Sequence, residues 1–404
     1  MNRREVLGLM GTTAAAGLLL GRSNVASGYP VNETIRIGCI GTGGRCRMLM
    51  NTLKKMTGVR VTAICDVWDS ALNTAKPLAD ADALATGDYR AVLDRKDIDA
   101  VLIGSPDHWH VPMTVAACEA GKDVYVEKPL THGLAEGQEV IDAQNRNKRI
   151  VQVGMQQRSM PHIIEARKIV QAGTLGRIHK AHLTWNRNAG KMARAPMGVD
   201  PKTVDWKAFL GSARDQPFDE YRFRHWRWFW DFGGGILTDL MVHWLDVVHW
   251  ICEVDHPAEA VTIGDHFAAR DLWETPDTIQ TLLHYPDRAL EVYFEGTFVN
   301  ARNGAMVELM GTEATLYFDR GRFELHPERG RDIQPREMIL GDGPRGADFY
   351  AKPDADLLHL SNWVECMRSR KPPCAPAEAG VSAASGAHLG NQAYRSGQTA
   401  RWKA

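Results

Sequence analysis

The stretch Ile35-Arg36-Ile37-Gly38-Cys39-Ile40-Gly41-Thr42-Gly43-Gly44-Arg45-Cys46 decides the fold. Its first six residues read as a buried strand. A glycine-rich turn follows, then a helical stretch to Met56 and a second strand from Val59 to Cys65. Together they make one βαβ unit of about 30 residues. Glycine at Gly41 permits the tight turn; at Gly43 and Gly44, with Arg45 beside them, the backbone can approach a pyrophosphate at the positive end of the helix. The third position of this fingerprint is Cys46, where Gly or Ala is usual, so a bulkier side chain stands at the helix–strand contact.

Asp66 ends the second strand, near the spacing of about 20 residues at which a carboxylate bonds the adenosine ribose hydroxyls. A carboxylate there favours NAD over NADP, and Val67, Trp68 and Asp69 supply no cation for a 2′-phosphate. Further on, Ala100 to Ile103 runs into Ser105-Pro106-Asp107-His108-Trp109-His110, and Asp123 to Val126 runs into Glu127-Lys128-Pro129. Helices from Val111 to Ala120 and from Gly133 to Arg146 follow, then a strand from Ile150 to Val153. This alternation predicts a doubly wound parallel sheet, with ligand at the carboxyl ends of its strands. Ser105, Pro106, His108, His110, Glu127 and Lys128 all fall at such ends and are candidate cofactor contacts. His108 and His110 serve either there or in loop packing; no further Cys or His follows at ligand spacing, so no metal is expected.

After Gly154 the alternation stops. Arg177 to Trp185, Val261 to Phe267, Thr278 to His284, Leu290 to Phe298, Met306 to Met310 and Thr315 to Phe318 read as strands, several joined by short turns. Such a run predicts an α+β domain with a large antiparallel sheet. The expected division is a leader over 1–30, a Rossmann domain over 31–154, the α+β domain over 155–355, and helices over 356–404.

Within the second half, a helix from Ile236 to Ile251 places Asp239, His243 and Asp246 at i, i+4 and i+7 on one stripe. The rest of its circumference is apolar, so two carboxylates and an imidazole there point to a site. Oxidising a secondary alcohol needs a base for the hydroxyl proton, which His243 can be near neutral pH, and a cation such as Lys128 to steady the oxygen. Asp239 either orients the imidazole or binds a neighbouring hydroxyl, and Asp246 supports helix packing or touches substrate. Trp109, Trp185, Trp226, Trp228 and Trp230 are candidates for the apolar faces of a ligand, and Gln156, Arg158, Asn186, Arg187 and Asn188 for its hydroxyls.

With 48 basic and 49 acidic residues the formal charge is -1, which offers no field for nucleic acid or anionic lipid. The seven cysteines are scattered and suggest no disulfide framework. Asn2-Arg3-Arg4-Glu5, an apolar stretch to Gly21 and a small polar segment to Ser27 read as a twin-arginine export signal, and hence a periplasmic protein without stable membrane insertion.

The glycine turn followed by Glu127-Lys128-Pro129 resembles the Gfo/Idh/MocA oxidoreductases, over about Ile35 to Trp402. The resemblance implies that Lys128, Asp239 and His243 form the catalytic group, that the cofactor is NAD, and that the open sheet face joins subunits into a homo-oligomer. It also implies that the last helices return to the Rossmann domain. Two activities fit: an NAD-dependent oxidoreductase acting on a sugar, glycoside or polyol with internally recycled cofactor, or a redox-neutral glycoside hydrolase that oxidises, eliminates, adds water and reduces back. A binding protein with a dead Rossmann domain is disfavoured, because all three catalytic candidates are present.

Overall fold

The computed structural model describes residues 33–347 and 352–403; the expected leader lies outside the described residues. In the first half, β1 (Ile35–Ile40), α1 (Gly44–Leu53), β2 (Val59–Cys65), α2 (Asp69–Ala75), β3 (Leu84–Thr86), α3 (Tyr89–Leu93), β4 (Ala100–Ile103), α4 (His110–Glu119), β5 (Asp123–Val126), α5 (Gly137–Asn147) and β6 (Val151–Val153) alternate. All six strands are parallel, in the order β3-β2-β1-β4-β5-β6. β4 and β5 are apolar or buried at every position, as expected when helices cover both faces. Strand order reverses between β1 and β4, so the crevice opens where the Gly41 turn meets the loop after β4.

The second half contains α6 (Pro161–Gln171), β7 (Ile178–Asn186), α7 (Trp206–Leu210), α8 (Glu220–Arg224), α9 (Val242–Cys252), β8 (Glu259–Asp265), β9 (Thr278–Tyr285), β10 (Leu290–Thr297), β11 (Ala305–Gly311), β12 (Ala314–Asp319), β13 (Arg322–Pro327) and β14 (Arg336–Ile339). The chain ends with α10 (Ala355–Ser369), α11 (Ala377–Ser396) and the short β15 (Ala400–Arg401). Nine strands form one sheet, β14-β13-β12-β11-β7-β10-β9-β8-β15. It is mixed, not wholly antiparallel, because β7 and β10 pair in parallel. Strands joined by hairpins must alternate in direction. β7 is separated from β8 by a long helical excursion and escapes that constraint.

α10 packs Leu360, Trp363 and Met367 into the core that holds Ile37, Leu49 and Tyr125. α11 runs between the halves: Ala377 and Ala383 join the core of β5 and β6, while Ala387 and Leu389 join that of α9 and β9. Small residues allow this approach, since a Cβ on Gly380 would lie 2.8 Å from Val153 and one on Gly386 2.5 Å from Leu245. On the sheet's outer face Val261, Ile263 and Leu282 are exposed.

Candidate active site

Two cavities meet at the crevice. One, of 850 Å³, lies along Gly41, Gly43 and Gly44 and is lined also by Asp66, Trp68 and Pro106. The other, of 800 Å³, is lined by Lys128, Gln156, Trp185, Trp228, Asp239 and His243. Gly104, Ser105 and Arg227 belong to both walls, so the two spaces adjoin.

The glycine turn is shaped for close approach. Gly41 has φ +75, and a Cβ on it would fall 2.5 Å from the Ser105 nitrogen. Above Gly43 and Gly44 an added Cβ would meet nothing within 4 Å, leaving the first N–H groups of α1 open to a ligand. Cys46 fits because its neighbour is glycine: a Cβ on Gly104 would sit 2.9 Å from the Cys46 Cβ. At the far end, Asp66 accepts from the Trp68 backbone N–H at 2.9 Å and from the Thr42 hydroxyl at 3.3 Å. Burial pushes its carboxyl up to about 6 against those hydrogen bonds. Arg47 and Arg90 line the same cavity, cations that lie outside the 67–69 segment. Open amides, a carboxylate at the second strand end and aromatic walls fit an adenine dinucleotide.

At the other cavity, the helix bearing Asp239 and His243 opens with a π turn, Leu237–Met241, that leads directly into α9. Such wide turns recur at functional sites, and this one stacks Asp239 and His243 about one turn apart. Lys128 Nζ donates to the Asp239 carbonyl at 2.6 Å and to its carboxylate Oδ1 at 2.8 Å. Arg227 Nε donates to the same Oδ1 at 3.2 Å. Burial alone would raise the Asp239 carboxyl, but Lys128 and Arg227 outweigh it and hold it well below the usual range. Asp239 therefore orients Lys128, and the His243 ring is set instead by Trp185, whose ring lies 5.2 Å away at 33°. Burial, with Lys128 and Arg320 nearby, holds the imidazole well below its ordinary value, so it is neutral near pH 7. Its Nδ1 is buried with no hydrogen-bond partner among the described residues.

Arg45 also lines this cavity. It donates to Glu127 at 2.8 Å and as a fork to Asp356 at 2.7 and 2.8 Å, tying the glycine turn to the Glu127 loop and to α10. Ser105 and His110 also line the cavity, and the His110 ring nitrogens lie 2.6 and 2.9 Å from the carbonyls of Pro129 and Ser105. That clamp joins the two loops, and burial pushes the imidazole down to about 4.

Several expected contacts lie elsewhere. His108 lines neither cavity; its Nε2 faces the Phe209 carbonyl at 2.9 Å, a packing role. Arg158 and Asn186 are absent from both walls. Arg158 is consumed by Asp246, with Nη2 2.7 Å from Oδ1, and Asn186 donates to the Arg302 carbonyl at 2.7 Å. Asp246 is thus a buried ion-pair partner. Among the tryptophans, Trp185 and Trp228 line the second cavity, Trp109 the first and Trp226 both, while Trp230 packs by Tyr394. Residues of this wall not anticipated as contacts include Asp107, Gln157, Arg227 and Arg320. Asp107 and Arg227 each adjoin a residue singled out in the sequence; Arg320, at a hairpin turn, gave no signal.

Residues 35–155 match the model of the GFO_IDH_MocA oxidoreductase family, NAD-binding Rossmann fold, and residues 205–317 match that family's C-terminal domain. The oxidoreductase YrbE of Bacillus subtilis is 31% identical over 298 residues, 72% of this chain and 76% of its own length. Inositol 2-dehydrogenase of Salmonella paratyphi B is 32% identical over 41% of this chain and 50% of its own. A glycosyl hydrolase family 109 protein of Saccharopolyspora erythraea is 32% identical over 35% of this chain and 37% of its own. The chain thus spans half or less of the length of these last two. Among solved structures, levoglucosan dehydrogenase in complex with NADH and levoglucosan superposes with a TM-score of 0.70 over 91% of this chain and 99% of that one, at 18% identity, a likeness of fold.

Proposed function

Because this chain belongs to the Gfo/Idh/MocA oxidoreductase family, we propose that it moves a hydride between NAD and a carbon bearing a secondary hydroxyl in a sugar, glycoside or polyol. The observation that carries this reading is the grouping of Lys128, Asp239 and His243 on one cavity wall, beside the cavity of the glycine turn. When bound, the dinucleotide supplies the hydride acceptor. The protein's own part is the proton. A lysine ammonium has three donors, and Asp239 takes two of those on Lys128, leaving one for the substrate oxygen. That bond stabilises negative charge as it develops on the oxygen. Neutral His243 accepts the hydroxyl proton, and the Trp185 ring fixes its plane.

The family 109 relative favours a second reading. Oxidation at the same group, then elimination, water addition and reduction, would cleave a glycoside with no net NADH. We also propose that the Arg3-Arg4 leader sends the protein, folded around its cofactor, to the periplasm, where NAD(H) is recycled without release. The exposed Val261, Ile263 and Leu282 face would join copies of the chain. The test is to purify the protein without added nucleotide, denature it and quantify what is released, then screen sugars and glycosides against bound-NADH absorbance. Stoichiometric NAD(H) and sugar-dependent absorbance changes support the reading, and glycoside cleavage without net NADH selects the hydrolase. An empty protein that turns over only with added NAD refutes recycling. No absorbance change or cleavage with any compound refutes the enzyme reading.

A further inference from the structure

We propose that the dinucleotide site is completed by residues 204–211 of the second half, which form a clasp over it, so that cofactor leaves only when this segment lets go of the Rossmann domain. The proposal rests on the NAD-dependent reading for the occupant of the cavity and deepens its claim that the cofactor is kept.

The segment is tied to the Rossmann domain at two places. At its start Val204 forms an antiparallel bridge with Trp68, and the Asp205 N–H donates to the Val67 carbonyl at 2.8 Å. Val67 and Trp68 follow directly on Asp66. At its end the Phe209 carbonyl accepts from His108 Nε2 and Trp109 Nε1, each at 2.9 Å, both in the loop after β4. Trp109 is also seated against Gly211, where φ is +55 and a Cβ would lie 2.4 Å from the indole.

Strand order turns these two ties into a bridge. β2 and β4 flank β1, and the glycine turn leaves the end of β1. A segment held at the ends of β2 and β4 therefore crosses above that turn. Asp205, Lys207, Ala208, Phe209 and Gly211 line the same cavity as Gly41, Gly43 and Gly44, so the second half supplies part of its wall.

The two sides of the clasp are held very differently. The Phe209 ring stacks on Trp206 at 5.0 Å and 11° and lies 5.1 Å from Phe232, within the core of the second half. On that side the segment is built into a core and moves with it. Its hold on the Rossmann domain is a few hydrogen bonds, each of modest net strength, and one aromatic contact. A nucleotide with its pyrophosphate at the glycine turn and its adenosine at Asp66 lies between the two. The hydrogen-bonded side is the one that opens, without loss of either core.

The test follows NADH fluorescence as loaded protein is chased with excess NAD. Residues paired in an antiparallel bridge have Cα atoms about 4.5–5.5 Å apart, inside the disulfide span of about 4.4–6.8 Å, so Trp68→Cys with Val204→Cys can lock the clasp. Loaded while reduced and then treated with oxidised glutathione, this variant should release NADH at least about tenfold more slowly than its reduced form. Locked while empty, it should also take NADH up slowly; a merely tighter pocket slows release alone. In the opposite sense, Asp205→Pro deletes the N–H that holds Val67, at a place where φ of -76 at Asp205 and ψ of 124 at Val204 suit proline and the residue before it. The Asp205 carboxylate also accepts from the Ala208 N–H at 2.9 Å, so Asp205→Ala is the reference, and the proline variant should release NADH several-fold faster than it. Equal release from the locked and reduced forms, or a proline variant no faster than the alanine one, would overturn the proposal; if the cysteine pair does not fold, the Asp205 pair decides alone. Hydride transfer separates the two readings. A clasp that governs release while no sugar ever changes the cofactor's redox state leaves this inference and sinks the dehydrogenase; sugar-dependent redox change with release indifferent to the lock does the reverse.

Discussion

Replacing Arg158 by methionine keeps an unbranched stem but deletes the cation that holds Asp246. The pair is closed off from solvent, with side-chain exposures of 8% and 0%, and is made by Arg158 Nη2 at 2.7 Å and by Nε at 2.9 Å to each carboxylate oxygen. Removing one partner of such a pair costs about 3–5 kcal/mol, because a buried charge is left without compensation. The loss must also depend on pH. Burial already raises the Asp246 carboxyl against the pull of Arg158, and without that arginine it rises further. A carboxyl raised in the folded state contributes stability that is full below its unfolded value of about 3.9 and is lost as pH climbs toward the folded value. The slope is about 1.4 kcal/mol per pH unit, so the variant should lose up to about 3 kcal/mol more than the parent between about pH 5 and about pH 7. Urea unfolding followed by tryptophan fluorescence at both pH values measures this, and Arg158→Met with Asp246→Leu should recover most of the stability and abolish the slope. A loss below about 1 kcal/mol with no slope, accompanied by a raised KM for the sugar, would refute this reasoning and return Arg158 to the substrate site.

The depressed imidazole of His243 stays unprotonated below the ordinary histidine value, so the acid limb of kcat/KM should lie below about pH 6.5; a limb at or above that value would name another base. His243→Asn should lower kcat by roughly 10²-fold or more while Tm barely moves, and near-normal turnover would remove it from the mechanism. Lys128→Met should lower kcat and kcat/KM together, since the third donor acts on charge that develops in the transition state; a change confined to KM would make Lys128 a binding residue only. NAD should bind far more tightly than NADP, and Asp66→Ala should narrow the gap in an apoprotein titration, with Arg47 and Arg90 in the same cavity able to receive a 2′-phosphate. Equal affinities in the parent would contradict the part assigned to Asp66.

Where a residue's part follows from local backbone pattern, the sequence was readable. Gly41, Asp66 and Lys128 stand at strand ends, and period and spacing alone put them at the crevice. The three-residue β3 was missed because Leu84–Thr86 is too short to show a period. The parallel pairing of β7 with β10 was missed because direction across a long excursion leaves no mark on either strand. Side-chain partners chosen by tertiary packing were the hardest to read. Arg158 and Asn186 look like ligands for hydroxyls until Asp246 and the Arg302 carbonyl take them. Asp239 and His243 were singled out by helical spacing, yet that spacing could not say that the carboxylate faces Lys128 and Arg227 and that an indole holds the ring.

The position of α10 bears on how the protein is made. Leu360, Trp363 and Met367 complete the core around Ile37, Leu49 and Tyr125, but they follow β6 by about 200 residues, roughly 10–40 s of synthesis at ~5–20 residues per second. Throughout that interval one flank of the dinucleotide sheet stands uncovered on the ribosome, an apolar surface open to chaperones and to neighbouring nascent chains. Arg45 also waits until then for Asp356, which holds it by two bonds. The cofactor cradle thus reaches its final form only when the helix carrying Asp356 and Trp363 has left the exit tunnel, and on the proposed export route that is the earliest moment at which a loaded protein could be handed to the translocation machinery.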